Sequence, residues 1–275
     1  MRYDRRYAHV FTAVLLIVLS VLLTGKNTKK ADILILAPHP DDAALCCAGL
    51  IQQATSKGQS VHILELTNGE AYAEAAAYLS KKPAASITAT DYLRLGKARK
   101  QEEYRAMNIL GLTPRNITFL GYPDGLLEEV YTTRSDTPFL SRFTGLSATL
   151  ETGNPYTHAD VVRDIVAVIA YLQPAQIVVP NMSETALDHT VARRFVDDAM
   201  ITSAFRGQLL TYIIHSDTTP THASNASILR IRLSAHEMRL KRDAIAAYRT
   251  QNAIDGEYLS SFVRDEEIFV QLEQP

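Results

Sequence analysis

The run Pro38-His39-Pro40-Asp41-Asp42 places one imidazole and two carboxylates within four residues, directly after an apolar stretch that predicts a β-strand. Imidazole and carboxylate groups are common zinc ligands, and a further carboxylate beside them can serve as a general base. The alternative is that Asp42 only caps the helix that follows, which would leave His39 and Asp41 unexplained. The run therefore predicts a metal site at the end of this strand.

A second pair, Asp188-His189, follows another predicted strand after a short loop. With His39 and Asp42, His189 would complete the two imidazoles and one carboxylate that bind catalytic zinc and leave a position open for water. The alternative is an ordinary helix start, in which Asp188 is the N-cap and His189 has no chemical role. The metal site requires both strand ends to lie at the same edge of one sheet.

Apolar runs alternate with amphipathic stretches from residue 31 onward, and they predict the elements that position these side chains. We predict strands at 31–38, 61–67, 116–122, 175–180, 209–215 and 267–272, and helices at 43–57, 91–110, 160–172, 188–205 and 234–249. This alternation is typical of an α/β domain with a mainly parallel sheet. Two stretches, 71–90 and 128–157, do not fit it. The second is interpreted as a substrate lid or, alternatively, as a surface insertion.

The composition is that of a packed globular protein. The chain has 275 residues, of which 47% are hydrophobic and 21% are charged, and its formal net charge is -2. A disordered or collagen-like chain is excluded, and the near-neutral charge argues against nucleic acid as a partner. Cys46 and Cys47 are adjacent, so they cannot link distant segments or form a cysteine-rich zinc module. Any metal is therefore expected on histidines and carboxylates.

The first 30 residues form a segment of their own. Residues 7–25 contain no Asp, Glu, Lys or Arg and are flanked by three arginines before and three lysines after. This stretch is long enough to cross most of a bilayer, which needs roughly 20 residues. We expect an uncleaved transmembrane helix, with a cleaved signal peptide or a buried helix of the fold as alternatives.

The expected localisation is therefore membrane-anchored by a single N-terminal span through residues 7–25. Because the flanking positive charges balance, the orientation stays open, with a small preference for the extracytoplasmic side. The expected organisation is an anchor or signal segment at residues 1–30 and one domain at residues 31–275.

Several motifs, in order along the chain, resemble the PIG-L/LmbE-like family, the N-acetylglucosaminyl-phosphatidylinositol de-N-acetylase superfamily. They are His39-Pro-Asp-Asp42, Leu66-Thr-Asn-Gly-Glu70, Arg99-Lys-Gln-Glu102, Phe119-Leu-Gly-Tyr-Pro-Asp-Gly125, Asp188-His189, Tyr212-Ile-Ile-His215 and Lys241 through Gln251. The resemblance runs from about residue 32 to 271. It implies a Rossmann-like sheet with helices on both faces. It also implies a zinc-dependent N-deacetylase, in which a zinc-bound water attacks an N-acetylglucosamine-type amide of a glycoconjugate.

The resemblance also implies roles by position. The residues that match the metal ligands are His39, Asp42 and His189. Asp41 matches the general base, and Arg99 and Asp124 match residues that contact the sugar. The expected metal is Zn²⁺, with another divalent metal such as Fe²⁺ as the alternative.

Two positions depart from the family pattern. Ala43 stands where the family usually has Glu, and Ala186 stands where it often has a further histidine. That histidine is associated with steadying the oxyanion or protonating the leaving amine. His215, at the end of the fifth predicted strand, is expected to take this role or, alternatively, to have no catalytic role.

Two other functions stay open. The same metal centre could hydrolyse another acyl amide or an ester, and the same cleft could belong to a non-catalytic, membrane-anchored carbohydrate-binding relative. The expected partners are an amino-sugar glycoconjugate and the membrane, and nucleic acid is not expected.

Overall fold

Seven strands form one sheet within the residues that the computed structural model describes, 30–133, 135–203, 205–216 and 226–272. The strands are β1 (Ile33–Ala37), β2 (Val61–Thr67), β3 (Ile117–Tyr122), β4 (Gln176–Pro180), β5 (Gln208–Tyr212), β6 (Ala226–Arg232) and β7 (Glu266–Leu272). The helices are α1 (Asp42–Ser56), α2 (Ala73–Ser80), α3 (Ala89–Ile109), α4 (Leu127–Thr133), α5 (His158–Leu172), α6 (Leu187–Ser203), α7 (Ala235–Ala246) and α8 (Arg249–Ser260).

The strand order is β3-β2-β1-β4-β5-β7-β6. The first five strands in this order run parallel, whereas β7 is antiparallel to both of its neighbours. The sheet is therefore mixed, and the prediction of an α/β domain with a mainly parallel sheet is confirmed. Strand order reverses between β1 and β4, and in open α/β sheets the ligand crevice opens at this point, beyond the carboxyl ends of the strands.

The sheet separates two hydrophobic cores, because alternate side chains of a strand point to opposite faces. Ile33 and Ile35 of β1 pack on the side of α1, α3, α7 and α8, whereas Leu34 and Leu36 pack on the side of α4, α5 and α6. All five residues of β1 are buried, as expected for a central strand covered on both faces. The helices on both faces are thus as predicted.

Several elements differ from the sequence expectations. The stretches 71–90 and 128–157 contain α2 and most of α4, and the edge strand β6 was not predicted. The helix predicted at 234–249 is α7, which ends at Ala246, and a further helix that was not predicted, α8, begins at Arg249 after Tyr248 leaves helical geometry with φ -80° and ψ 69°. Cys46 and Cys47 are buried in α1 and form a disulfide with each other.

The predicted membrane-anchored localisation, and with it the membrane as a partner, is wrong. In the part of the chain that the structure describes, no helix combines the length and the apolar character needed to cross a bilayer. The 21 residues of α3 would be long enough, but charged side chains such as Asp91, Lys97 and Glu103 recur along it. Residues 7–25, the predicted span, lie outside the described residues. The division into segments 1–30 and 31–275 stays a prediction.

Candidate active site

The turn between β1 and α1 carries His39 and Asp41 at the carboxyl edge of the sheet. Asp42 is the first residue of α1, and its Oδ2 accepts a hydrogen bond of 2.9 Å from the backbone N–H of His39. The N-cap position belongs to Asp41, whose side chain makes no capping bond. The interpretation of Asp42 as a simple helix cap is therefore wrong.

His39, Asp42 and His189 converge at this edge. One potential ligand atom from each residue lies within 4.8 Å of the others. Nε2 of His189 is 3.4 Å from Oδ1 of Asp42, and Nδ1 of His39 is 3.5 Å from Oδ2 of the same carboxylate. The ends of β1 and β4 thus bring together the residues that the sequence analysis proposed as metal ligands.

His189 has the environment of a metal-binding histidine. Its side chain is fully buried, and Nδ1 lies 3.2 Å from Oε1 of Glu184. Nε2 is buried and has no hydrogen-bond partner in the described residues. A carboxylate at one ring nitrogen fixes the tautomer and leaves the lone pair of the other nitrogen free, as around metal-ligating histidines. The donor set of two imidazoles and a carboxylate therefore fits a divalent cation such as Zn²⁺ or Fe²⁺.

A second group of potential ligand atoms shares His39. Nε2 of His39 lies 3.1 Å from Oδ1 of Asp124 and 3.4 Å from Oδ2 of Asp188. Asp124 already accepts a hydrogen bond of 2.6 Å from the backbone N–H of Ala71, and Asp188 accepts one of 2.7 Å from that of Gly125. We therefore favour the set that includes His189. Asp188 lies inside α6 and binds the turn after β3, so the interpretation of Asp188 as an N-cap is wrong.

Negative charge dominates the electrostatics around the two imidazoles. Burial alone would lower the pKa of His39, but the hydrogen bond and charge of Asp124 hold it well above the usual value. Burial opposes the positive form of His189 in the same way, yet the charge of Asp42 raises its pKa to about 9. Without a metal, both rings therefore take up protons, and a cation would replace those protons.

Asp41 and Arg99 form a buried pair. Nη2 of Arg99 donates to Oδ2 of Asp41 at 2.9 Å and to the carbonyl of Pro40 at 2.6 Å, and Nη1 donates to the carbonyl of Gly69 at 2.9 Å. Burial raises the pKa of Asp41 to about 6, against the opposing charge of Arg99. These hydrogen bonds of Arg99 hold the Asp41 turn, and the predicted contact of Arg99 with a sugar stays a prediction.

The reaction cavity has a volume of about 330 Å³ and opens in front of this cluster. Its lining includes six residues expected from the sequence, His39, Asp41, Asp42, Arg99, Asp124 and His215, and also Ala186. His189 lies behind this wall. The sequence analysis missed lining residues just before α2 and within α8, which are Ala71, Tyr72, Asp255, Tyr258 and Leu259. No local spacing marked them, because Ala71 and Tyr72 belong to the segment before α2 and the other three reach the cavity through packing of α8.

His215 lies next to the proposed ligands. Its ring is edge-on to that of His189, with centroids 4.6 Å apart, and its Nδ1 is 3.0 Å from the hydroxyl of Tyr258. That hydroxyl also lies 3.1 Å from the carbonyl of Ile214, to which it can donate. Burial lowers the pKa of His215, and the neighbouring His189 lowers it further. The ring is therefore neutral, and it lines the reaction cavity together with Ala186.

Glu184 is a site residue that the sequence analysis did not single out. Its buried carboxylate faces Nδ1 of His189 and accepts backbone hydrogen bonds of 2.6 Å from Ile214 and 2.7 Å from His215. One side chain thus orients a proposed ligand and holds the turn after β5. A carboxylate five residues before a candidate histidine ligand was the available signal.

Comparisons with known proteins agree with this geometry. The sequence profile of the PIG-L family, described as GlcNAc-PI de-N-acetylase, matches residues 34–200, more than half of the chain. No curated protein matches the chain significantly.

Solved structures with the same fold include two deacetylases and a hydratase. The N,N'-diacetylchitobiose deacetylase of Pyrococcus horikoshii is 19% identical, with a TM-score of 0.58, covering 97% of this chain and 92% of its own. A deacetylase of the teicoplanin biosynthesis pathway is 15% identical, with a TM-score of 0.60 and coverages of 87% and 96%. The 4-carboxy-2-hydroxymuconate hydratase of Pseudomonas putida is 18% identical, with a TM-score of 0.54 and coverages of 86% and 82%. At these identities the likeness establishes the fold alone.

Proposed function

The chain belongs to the PIG-L family, and on this premise we propose that it is a metal-dependent hydrolase that removes the acetyl group from an N-acetylglucosamine-type amide of a glycoconjugate. One observation carries the proposal: His39, Asp42 and His189 converge, and the buried Nε2 of His189 lies 3.4 Å from Asp42 with no hydrogen-bond partner in the described residues. The deacetylases that share the fold support an amino sugar as substrate.

The proposed metal ligands are His39, Asp42 and His189, and the proposed metal is Zn²⁺, with Fe²⁺ as the alternative. When bound, the metal supplies Lewis acidity, which lowers the pKa of a water molecule and polarises the amide carbonyl. Asp188 and Asp124 add negative charge beside His39.

Asp41 is the proposed general base. With a pKa of about 6, it is mostly ionised at neutral pH and can still accept a proton. Arg99 donates one hydrogen bond to the carboxylate of Asp41 and two to the backbone carbonyls of Pro40 and Gly69. These bonds hold the carboxylate at the wall of the reaction cavity. In the proposed reaction Asp41 takes the proton of the attacking water and can return it to the leaving amine, so no covalent intermediate is needed.

The remaining roles belong to residues on the cavity wall. We propose that His215 donates a hydrogen bond to the developing oxyanion or to the amine, in the space beside Ala186. Asp124 and Arg99 are proposed to contact the sugar, since both line the reaction cavity. Asp124 is anchored by the N–H of Ala71, which orients its carboxylate before substrate binds.

The test is release of acetate from a panel of N-acetylglucosamine conjugates, with protein reconstituted separately with Zn²⁺ and Fe²⁺. We expect acetate release with one of these metals and none in the presence of a chelator. Turnover of other acyl amides or esters only would contradict the substrate assignment. Saccharide binding with no turnover under any metal would contradict the proposal that the chain is an enzyme.

A further inference from the structure

A second, larger cavity, with a volume of about 600 Å³, opens at the carboxyl edge of the sheet, where β5 and β7 separate. In the described sheet, β7 pairs with β5 over residues 270–272, whereas its first four residues pair with β6 and not with β5. The lining includes Ile213 and Ser216, just after β5, and Glu266 and Ile268, at the start of β7. We call it the β5–β7 cavity.

The β5–β7 cavity adjoins the reaction cavity. Leu45 and Tyr258 line both of them. Tyr258 is 41% exposed, and its ring stacks on that of His215, with centroids 5.9 Å apart and planes inclined by 19°. A ligand whose amide lies in the reaction cavity can therefore extend past the ring of Tyr258 into the β5–β7 cavity.

Exposed polar side chains line the β5–β7 cavity beyond Tyr258. Ser261, Arg264 and Asp265 are all exposed and belong to its lining. Oγ of Ser261 donates to the carbonyl of Tyr258 at 2.7 Å, and Nε of Arg264 donates to the carbonyl of Ser261 at 2.9 Å. Among the described residues, the terminal nitrogens of Arg264 and the carboxylate of Asp265 have no hydrogen-bond or ion-pair partner. These accessible groups can therefore bond to a ligand.

The accessible charges on this wall balance. Nζ of Lys241 lies 2.7 Å from Oε1 of Glu267, and both side chains are buried. The carboxylate of Glu266 forms an ion pair with an arginine of β6. The two charges that remain, Arg264 and Asp265, are opposite in sign, so together they favour neither an anion nor a cation. They offer a donor and an acceptor, which suits hydroxyl groups because a hydroxyl does both.

We propose that the β5–β7 cavity binds the sugar next to the N-acetylglucosamine unit, so that the substrate is a disaccharide or a longer saccharide. This sugar packs on the ring of Tyr258, and its hydroxyl groups accept from Arg264 and donate to Asp265. The choice of a saccharide rests on the proposed function. At about 330 Å³, the reaction cavity is at the lower end of the range for ligand pockets, roughly 300–1,000 Å³, so a larger glycoconjugate needs space beyond it.

The preference for a disaccharide is measured by calorimetry on Zn²⁺-loaded protein in an Asp41→Asn background, in which turnover is expected to be slow. The ligands are N-acetylglucosamine and N,N'-diacetylchitobiose, which carries N-acetylglucosamine at both positions, so that either unit can occupy the reaction cavity. We expect the Kd of the disaccharide to be about ten-fold lower, the effect of about two added hydrogen bonds. Because binding is measured, the test does not depend on deacetylation.

Ser261→Trp fills the β5–β7 cavity, and Ser260→Trp is its matched control. Both serines are exposed at the end of α8, and each donates to the carbonyl three residues earlier, but only Ser261 lines the cavity. We expect Ser261→Trp to abolish the preference for the disaccharide and to keep the Kd for N-acetylglucosamine. Arg264→Ala adds no bulk and should raise the disaccharide Kd about five-fold, with Arg249→Ala, at the exposed start of α8, as control. Melting temperatures of all four variants report whether the fold is retained.

Equal Kd values for the two sugars, no binding of the disaccharide, or a preference retained in both Ser261→Trp and Arg264→Ala would overturn the proposal. A preference lost in Ser261→Trp and kept in Ser260→Trp supports it, even if no conjugate releases acetate. That combination would contradict the proposed reaction and leave the saccharide site in place. Acetate release together with equal Kd values would do the reverse.

Discussion

Asp41 has a backbone φ of 133°, in a region that residues other than glycine rarely adopt. The hydrogen bonds from Arg99 to its side chain and to Pro40 hold this conformation in place. Such geometry persists only where the surroundings enforce it, and it is concentrated at functional sites. It turns the carboxylate of Asp41 away from helix capping and toward the reaction cavity.

Replacement of this carboxylate tests the general base. Asp41→Asn keeps the shape of the side chain and removes its ability to accept a proton, so we expect kcat to fall about 10²–10⁴-fold. Metal content should stay at the wild-type level, because Asp41 is not a proposed ligand. Acetate release and metal analysis on the same sample measure both. Asp243→Asn, at an exposed position of α7, is the control. A normal kcat in Asp41→Asn would remove Asp41 from the mechanism.

Glu184 does not line the reaction cavity, and its proposed effect on the reaction passes through His189. Glu184→Gln removes the negative charge at Nδ1 of His189 and loosens the turn at His215. Loss of such an outer carboxylate typically lowers metal affinity about 10–100-fold, and we expect a change of this size. Competition with a chelator measures the affinity, and Glu257→Gln, exposed on α8, is the control. An unchanged affinity would show that Glu184 does not orient His189.

His215 and Ala186 are best tested together. If the ring donates a hydrogen bond to the oxyanion or to the leaving amine, His215→Ala should lower kcat about 10²-fold and retain its metal content. Ala186→His places an imidazole at the family position on the same cavity wall, and it should restore part of the loss in the double variant. Steady-state kinetics measure both. His215→Ala with wild-type kcat at neutral and at alkaline pH would leave His215 without a catalytic role.

At the scale of elements, β2 and α3 bury two facing carboxyl groups, Glu65 and Glu103. Both side chains are fully buried, and the hydroxyl of Tyr248 donates to Glu103 at 2.6 Å. Burial, followed by the charge of Glu103, holds the pKa of Glu65 well above its usual range. Burial raises the pKa of Glu103 to about 7. Burial and the mutual repulsion of the two negative charges therefore favour a protonated pair.

This pair predicts a pH dependence of stability. A carboxyl group whose folded pKa lies above its unfolded value binds more protons in the folded state, so its contribution to stability is lost as pH rises. For Glu103 this loss of stability occurs as the pH rises from the ordinary pKa of a glutamate to the folded-state pKa of about 7. Glu65→Gln imitates the protonated form, so we expect a higher melting temperature than wild type at about pH 8 and little difference at about pH 5.

The expected gain is on the order of 1 kcal/mol, or about 2–4 °C for a chain of this size. Thermal unfolding at the two pH values measures it. Glu74→Gln, exposed on α2, should show no pH-dependent difference. A destabilised Glu65→Gln at about pH 8 would mean that the pair is not protonated.

At the scale of the whole molecule, the proposed ligands join the ends of β1 and β4 across the point where strand order reverses. A metal bound there holds the two halves of the parallel sheet together at their carboxyl edge. We expect Zn²⁺ at about 100 times its Kd to raise the free energy of unfolding by about 2.7 kcal/mol. Differential scanning calorimetry with and without the metal measures this gain.

The gain in free energy of unfolding that Zn²⁺ provides is also expected to depend on pH. Because the pKa values of His39 and His189 are raised in the metal-free protein, binding must displace protons. The stabilisation by Zn²⁺ should therefore shrink as pH falls. His189→Ala should show little stabilisation at any pH, and a gain equal to wild type in that variant would exclude His189 as a ligand.

The sequence by itself determined the parallel half of the fold and the position of the chemistry within it. Buried strands such as β1 are short apolar runs, and residues directly after them, such as His39 and Asp42, must lie at the carboxyl edge. These inferences depend on local spacing alone, which folding does not change. The resemblance based on the same motifs agrees with the family match over residues 34–200.

Only the tertiary structure decided which side chains meet. Arg99 bonds to Asp41 across 58 residues of chain, Glu184 reaches His215 across 31, and Tyr258 reaches the same histidine across 43. The edge strand β6 exists because β7 supplies its hydrogen bonds. Such contacts depend on the packing of distant segments, and the spacing of residues along the chain does not encode them.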